Sequence, residues 1–459
     1  MNTAPSASSS MPPGPPLPKA VQTPLQWLAR PWWMAAMHRR YGDVFTLRDQ
    51  ISDTGDLVVL ADPADVKAVF TGSPDVFHAG EGNQVLGPLV GPHSVLLLDE
   101  SEHLRERKLQ LPAFHGDRIA RSVDLMREAT EREVATWPVG TPFSMHARTQ
   151  ALTLDIIVRV VLGVDDAERA DPLKRALRTV LEIKTVHLLM WLHPRLERVG
   201  PWKRLKQDIA HADSLLYAEI AHRRAAGGLD ERSDVLSMLL QAHDASGDAV
   251  DDAWIRDELM TLLVAGHETT ATGLAWAFER LLRHPEALDR VRAGLDDPRD
   301  PYLDAVVKET LRVRPVIYNV ARVLAQPATV AGYDLPAGTV ILPSIGLLHR
   351  DDVHFPGAAA FRPERWLDGA PAPYTWIPFG GGVRRCIGAT FALTEMAVVL
   401  RTVLQQVDLR AADPAPERTK VHHITLIPAK GARVVVERRR RPQAARAAPA
   451  GMPTPALAG

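Results

Sequence analysis

The longest helical run in the chain, Ala253–Arg283, constrains its fold more than any other feature. At 1.5 Å of rise per residue it spans about 45 Å, the width of a whole domain, so other elements must pack around it. His284-Pro285 closes the run, because the residue before a proline is pushed out of the helical region. The surrounding sequence, Glu100 to Arg312, is also dominantly helical. Further helices are predicted over Glu102–Leu111, Asp117–Trp137, Gln150–Leu162, Asp171–Leu189, Trp202–Arg224, Asp234–Ala242, Glu286–Leu295 and Tyr302–Arg312, with a last one over Ile387–Val407. Strand signals are few: Val44–Arg48, Leu57–Leu60, Thr329–Val330 and Thr339–Leu342, with a short helix from Asp62-Pro63 through Phe70. Residues 71–98 hold five glycines and three prolines and read as a long loop, a kind of segment that often carries function. The expectation is a mainly α fold with a minor β part.

No internal repeat or composition break divides residues 25–436, which read as one domain. A Ser/Pro-rich lead, residues 1–24, and a tail over 437–459 read as disordered. The tail opens with the basic run Arg438 to Arg441 and reads as solvated. Apolar residues at 46% and charged residues at 24% exclude a fibre or a wholly disordered chain. A formal net charge of −1 gives no reason to expect nucleic acid as a partner. No stretch approaches the length of a membrane span, and the N-terminus has no basic region followed by an apolar one, so a cytoplasmic protein without a transmembrane anchor is expected. With one cysteine no internal disulfide can form.

That cysteine lies in the run Phe379-Gly380-Gly381-Gly382-Val383-Arg384-Arg385-Cys386-Ile387-Gly388. Glycines permit positive φ and close approach of the backbone to a flat ligand. A helix N-terminus and two arginines favour a thiolate, the form needed by a nucleophile or a metal ligand. The run resembles the heme-binding loop of cytochrome P-450 monooxygenases, FxxGxRxCxG, with Phe379, Gly382, Arg384, Cys386 and Gly388 filling every fixed position. The resemblance implies the cytochrome P-450 fold: a large helical domain, a long central helix over the heme and a small β region. It implies heme b (iron protoporphyrin IX) as cofactor, with Cys386 as the axial thiolate of the iron.

Further segments follow the family's order. Ala265-Gly266-His267-Glu268-Thr269-Thr270, midway along the long helix, resembles the oxygen-binding AGx[DE]TT segment. Glu268 and Thr269 would then form an acid–alcohol proton relay. The Thr269 hydroxyl can bond back to the carbonyl of Ala265 and loosen the helix. His267 reads as a polar neighbour of that relay. Glu309-Thr310-Leu311-Arg312 places two opposite charges on one helical face and resembles the family's ExxR pair, with Arg365 of Pro363-Glu364-Arg365-Trp366 as the third partner. These residues would be structural. His103 and Arg107, one helical turn apart, would bind the heme propionates together with Arg384 and Arg322.

The resemblance implies activation of dioxygen with two external electrons, to hydroxylate or epoxidise a substrate. The chain ends about 20 residues after its last strand-like segment, so the electrons are expected from a separate ferredoxin and an NAD(P)H-dependent reductase. Arg105, Lys108 and Arg385 would offer such a carrier a cationic patch. Candidate substrate contacts are Leu86, Val90, Leu262, Ala265, Val316 and Ile317, together with the segment Val180–Leu192. Their apolar character favours a medium-sized lipophile such as a steroid, terpenoid or fatty acid. A peroxide-driven peroxygenase is the near alternative, against which the Glu268–Thr269 pair counts. A non-catalytic heme sensor is an alternative of another class, and a helical interaction protein with a structural cysteine is a third.

Overall fold

In a computed structural model, residues 11–50, 55–114, 116–181, 200–243 and 247–440 are described. Sixteen helices appear among them: α1 Lys19–Leu28, α2 Arg30–Tyr41, α3 Pro63–Thr71, α4 Gly80–Asn83, α5 Gly87–Val90, α6 Glu100–Gln110, α7 Asp117–Ala135 and α8 Met145–Leu162, then α9 Ala167–Leu181, α10 Gly200–Ala226, α11 Val235–Leu239, α12 Asp252–Leu282, α13 Pro285–Gly294, α14 Tyr302–Val313, α15 Ile345–Leu348 and α16 Ala389–Gln406. The strands are β1 Val44–Arg48, β2 Asp56–Leu60, β3 Phe77–His78, β4 Phe143–Ser144, β5 Arg322–Leu324, β6 Ala328–Val330, β7 Tyr333–Leu335, β8 Val340–Pro343, β9 Val407–Ala411, β10 Thr419–His422, β11 Thr425–Pro428 and β12 Arg433–Arg439.

Helix α12 is the axis of the molecule. The Asp251 carboxylate caps it by accepting from the Trp254 N–H at 2.7 Å. Over 254–263 and 270–279 it is buried on all sides, as in a helix packed within a core rather than on a surface. It packs against α8, α14, α16 and the β10–β11 hairpin. The main apolar core gathers around it, including Ile156 and Ile157 of α8, Leu263 and Phe278 of α12, and Val399 and Val403 of α16.

The β part is peripheral. The largest sheet has the order β1-β2-β8-β5-β3, with β2 and β8 parallel and its other pairs antiparallel. A second sheet has the order β4-β12-β9, and β6–β7 and β10–β11 are antiparallel pairs. The mainly α architecture with small sheets is the one the sequence predicts.

Several boundaries differ from the sequence expectation. The lead is not disordered up to residue 24: Thr46 donates from its N–H to the Pro13 carbonyl at 2.9 Å and from its hydroxyl to Pro12 at 2.8 Å. Gln22 and Gln26 of α1 then bind both backbone groups of Arg48, at 3.0 Å each. Backbone pairing, which composition does not reveal, holds these residues on β1. Strand β12 likewise continues past Val436, with Arg439 paired to Val407. Residues 71–98 are not one loop but contain β3, α4 and α5. The helix predicted over Asp171–Leu189 is α9, Ala167–Leu181, in its described part; residues 182–189 lie outside the described residues.

Candidate active site

The cysteine loop is shaped by close backbone approach. Gly382 has φ +63°, and a Cβ there would sit 1.8 Å from the Phe70 carbonyl oxygen, so only glycine fits. The Cys386 N–H donates to the Phe379 carbonyl at 2.9 Å, closing the loop on itself. Helix α16 begins at Ala389 with Gly388 as its N-cap, not at Ile387, so Cys386 lies just outside the helix. The Cys386 side chain keeps free surface, yet burial in the surrounding protein pushes its thiol up from the ordinary value. A group with free surface that is still desolvated faces an interior concavity. The Gly388 N–H bonds the sulfur, and Arg107 and Arg385 lie near; all three pull the other way without outweighing burial. The expected thiolate is therefore not secured by helix end and arginines alone. A coordinated cation would secure it, since metal ligation deprotonates a thiol outright.

Beside the sulfur, α6, β5 and the cysteine loop bring together His103, Arg107, Arg322 and Arg384. The acid among them is Asp99, which meets Arg384 at 2.5 Å. Burial, and then the charges of Arg384, Arg107 and Arg322, hold the His103 imidazole down to about 3. Its Nδ1 is buried without a partner. Burial lowers Arg322 to about 10, with Arg384 adding to the effect, and its guanidinium lies 5.5 Å from the centre of the Phe70 ring. Arg107 donates to the Arg385 carbonyl at 2.5 Å. So dense a cluster of donors, with one carboxylate to balance it, suits a group that brings two more, as the propionates of heme b would.

Midway along its length, α12 opens. Residues 254–263 and 270–279 are all buried, but Ala265 is exposed and Val264, Gly266, Glu268 and Thr269 are half-buried. The Thr269 hydroxyl donates to the Ala265 carbonyl at 2.7 Å, as the sequence predicts. The helix is nevertheless unbroken over Asp252–Leu282, so the back-bond does not loosen it. Gly266 has a packing reason: a Cβ there would lie 2.8 Å from Ile157 of α8.

Glu268 is turned toward α8. Its carboxylate accepts from Gln150 Nε2 at 2.7 Å and from the Thr272 hydroxyl at 3.2 Å, and meets His146 Nε2 at 3.3 Å. Burial alone would raise its carboxyl. The hydrogen bond and charge of His146, aided by Gln150, hold it down to about 2. His267 also faces α8, its Nε2 lying 3.0 Å from the Gln150 carbonyl.

Glu309 and Arg312 form a fully buried bidentate pair, at 2.7 and 2.8 Å. Arg312 further donates to the carbonyls of His349, Ala358 and Ala360, at 2.7, 2.8 and 2.9 Å. Arg365 reaches Glu309 at 3.2 Å, and Trp366 Nε1 donates to it at 2.9 Å. From Trp366 an edge-to-face series of rings runs through Trp376 to Phe379, at 5.1 and 6.3 Å. The ion pair is thus tied by packing to the cysteine loop.

Of the candidate substrate contacts, Leu262 and Val316 lie in the main core, Val90 is buried, Leu86 is half-buried, and Ile317 packs against a second core under the large sheet. Val180 is a core residue, and 182–192 lie outside the described residues. Asp99, His146, Gln150 and Trp376 join the site without having been singled out by sequence motifs, and Trp366 joins it from the Pro363-Glu364-Arg365-Trp366 segment.

Three comparisons with known proteins show the family and the fold. The family model for cytochrome P450 matches residues 12–435. A protein of Mycobacterium tuberculosis assigned the name cytochrome P450 135B1 is 44% identical over 437 residues, covering 94% of this chain and 92% of that one. Another from the same organism, assigned the name cytochrome P450 135A1, is 42% identical, covering 94% and 97%. Among solved structures, a retinoic acid-bound cyanobacterial CYP120A1 superposes with a TM-score of 0.82 at 22% identity, covering 94% of this chain and 100% of that one. The heme domain of cytochrome P450DA superposes with a TM-score of 0.79 at 27% identity, covering 94% and 98%. The chain belongs to the cytochrome P450 family, a class of heme-thiolate enzymes. It is a monooxygenase of that family, with heme as its cofactor.

Proposed function

We propose that this enzyme inserts one oxygen atom of dioxygen into a medium-sized lipophilic substrate, using electrons from a separate ferredoxin and an NAD(P)H-dependent reductase. Bound heme supplies the oxygen-activating chemistry, and thiolate ligation favours O–O cleavage. The chain supplies the rest. Cys386 would be the ligand to the iron, with Phe379 and Gly388 shaping the loop beside it, and His103, Arg107, Arg322 and Arg384 would hold the propionates. Ala265 and its half-buried neighbours would leave room beside the bound group.

Thr269 holds a transferable proton at Oγ1, parked on the Ala265 carbonyl, and Glu268 is the acid beside it in sequence. Leu86, Val90, Leu262, Val316 and Ile317 would orient an apolar substrate and exclude water. The cyanobacterial neighbour holds retinoic acid, so the fold accommodates a lipophile of that size. Arg105, Lys108 and Arg385 are exposed and would favour an acidic electron carrier.

The observation that carries this reading is the window at 264–269: a buried helix opens where it presents a hydroxyl able to deliver a proton. Thr269→Ala tests it. The variant is expected to bind heme and substrate while diverting electrons to hydrogen peroxide, measured as product formed per NAD(P)H consumed. Coupling equal to that of the wild type would remove Thr269 from proton delivery.

A further inference from the structure

Glu268 is a poor proton donor as it stands. Its carboxyl is held ionised, and both oxygens are engaged by α8 and by Thr272. A residue that passes a proton inward must first receive one, and the structure shows what stands behind it. His146 occupies the first turn of α8, fixed by its own N–H donating to the Gly431 carbonyl at 3.1 Å. Its Nε2 lies 3.3 Å from Glu268 Oε1 and 3.1 Å from the Thr272 hydroxyl. Two other imidazoles surround the same carboxylate. His267 meets the Gln150 carbonyl, and His422 of β10, stacked edge-to-face on His423 at 4.1 Å, lies within electrostatic reach of both Glu268 and His146. Burial keeps His267 and His422 below the ordinary imidazole range, the latter at about 4, so neither stores a proton at neutral pH. His146 is the one whose ring nitrogen touches the carboxylate.

We propose that His146 is the positioning and relay residue through which protons reach Glu268. The inference rests on the monooxygenase reading above. In the step, a proton from water reaches the ring at Nδ1 as the Nε2–H bond breaks and an Oε1–H bond forms, so the ring is neutral before and after and Glu268 becomes a neutral carboxyl. Once Glu268 has passed the proton inward it is again a carboxylate, and exchange with water returns the ring proton from Nδ1 to Nε2. No electron moves. The groups facing His146 are Glu268, Thr272 and the His267 ring from α12, Thr149 from its own helix, His422 from β10 and the Gly431 backbone.

The test uses the holoenzyme with ferredoxin and reductase. His146→Asn keeps an N–H donor for Glu268 but carries no transferable proton, and His146→Phe removes the donor. Retention of the reduced carbon monoxide spectrum shows that each variant folds around heme. His146→Asn is expected to lower product formed per NAD(P)H about tenfold, below the 10²–10⁴-fold of a full acid–base group because water partly substitutes. Its solvent deuterium isotope effect is expected to rise. Isotope-edited infrared spectra, assigned with Glu268→Gln, should show the Glu268 carboxyl protonating at higher pH in His146→Phe than in the wild type. Unchanged coupling and isotope effect in His146→Asn, or an unchanged Glu268 titration in His146→Phe, overturns the proposal. A wild type that makes no product with dioxygen and electrons would instead overturn the preceding functional reading, and the infrared titration would still decide whether His146 controls Glu268.

Discussion

At Cys386 and Glu268 burial acts in the same direction, favouring the neutral form, but different neighbours decide the outcome. For Cys386 the nearby Gly388 N–H and arginines do not outweigh desolvation, whereas for Glu268 the bonds from His146 and Gln150 do. Glu395 on α16 shows burial with nothing to offset it: it is 2% exposed, and its Oε1 has no partner. Desolvation alone raises its carboxyl well above the usual range. A carboxyl raised on folding gives its full stabilisation below its unfolded value, about pH 4, and loses it as pH rises through the folded value. Glu395→Gln, which stays neutral, should therefore be more stable than the wild type at pH 8. The gap should close toward pH 5 at up to about 1.4 kcal/mol per pH unit, measured by denaturant unfolding. A gap independent of pH would contradict this.

At the scale of elements, short contiguous signals were legible and long-range ones were not. The cysteine loop and the Glu309–Arg312 pair show in the sequence because their residues are local. So does the end of α12, where Pro285 bars continuation, whereas the Asp251 cap at its start was not read from the sequence. The Asp99–Arg384 contact joins residues 285 positions apart, and the Gln150–Glu268 bond spans 118, so no local pattern announces either. Asp99 also accepts from the N–H groups of Ala79, Gly80 and Glu81, tying α4 to the arginine rim. The cysteine loop yields a differential prediction. Gly380 and Gly382 both have positive φ, but a Cβ on Gly380 meets nothing within 4 Å. Gly380→Ala should cost about 1–2 kcal/mol, the left-handed backbone penalty alone. Gly382→Ala should cost more and lower heme occupancy, because it also drives a carbon into the Phe70 carbonyl. Equal losses in thermal unfolding and heme content would contradict the close-approach account.

Across the whole molecule, the buried Glu309–Arg312 pair joins α14 to the chain around His349, Ala358 and Ala360, and through Trp366 to the cysteine loop. Removing one partner strands a buried charge, so Glu309→Gln should cost about 3–5 kcal/mol and reduce heme retention. Unfolding within 1 kcal/mol of the wild type would show that the pair does not bear on the scaffold. The central claim is that this scaffold presents the Cys386 sulfur to heme iron, and the absorption spectrum of the reduced carbon monoxide complex tests it most directly. The wild type should show the red-shifted Soret band of thiolate ligation, and Cys386→Ala should lose it. A wild type without that band, or a Cys386→Ala variant that keeps it, would contradict the account.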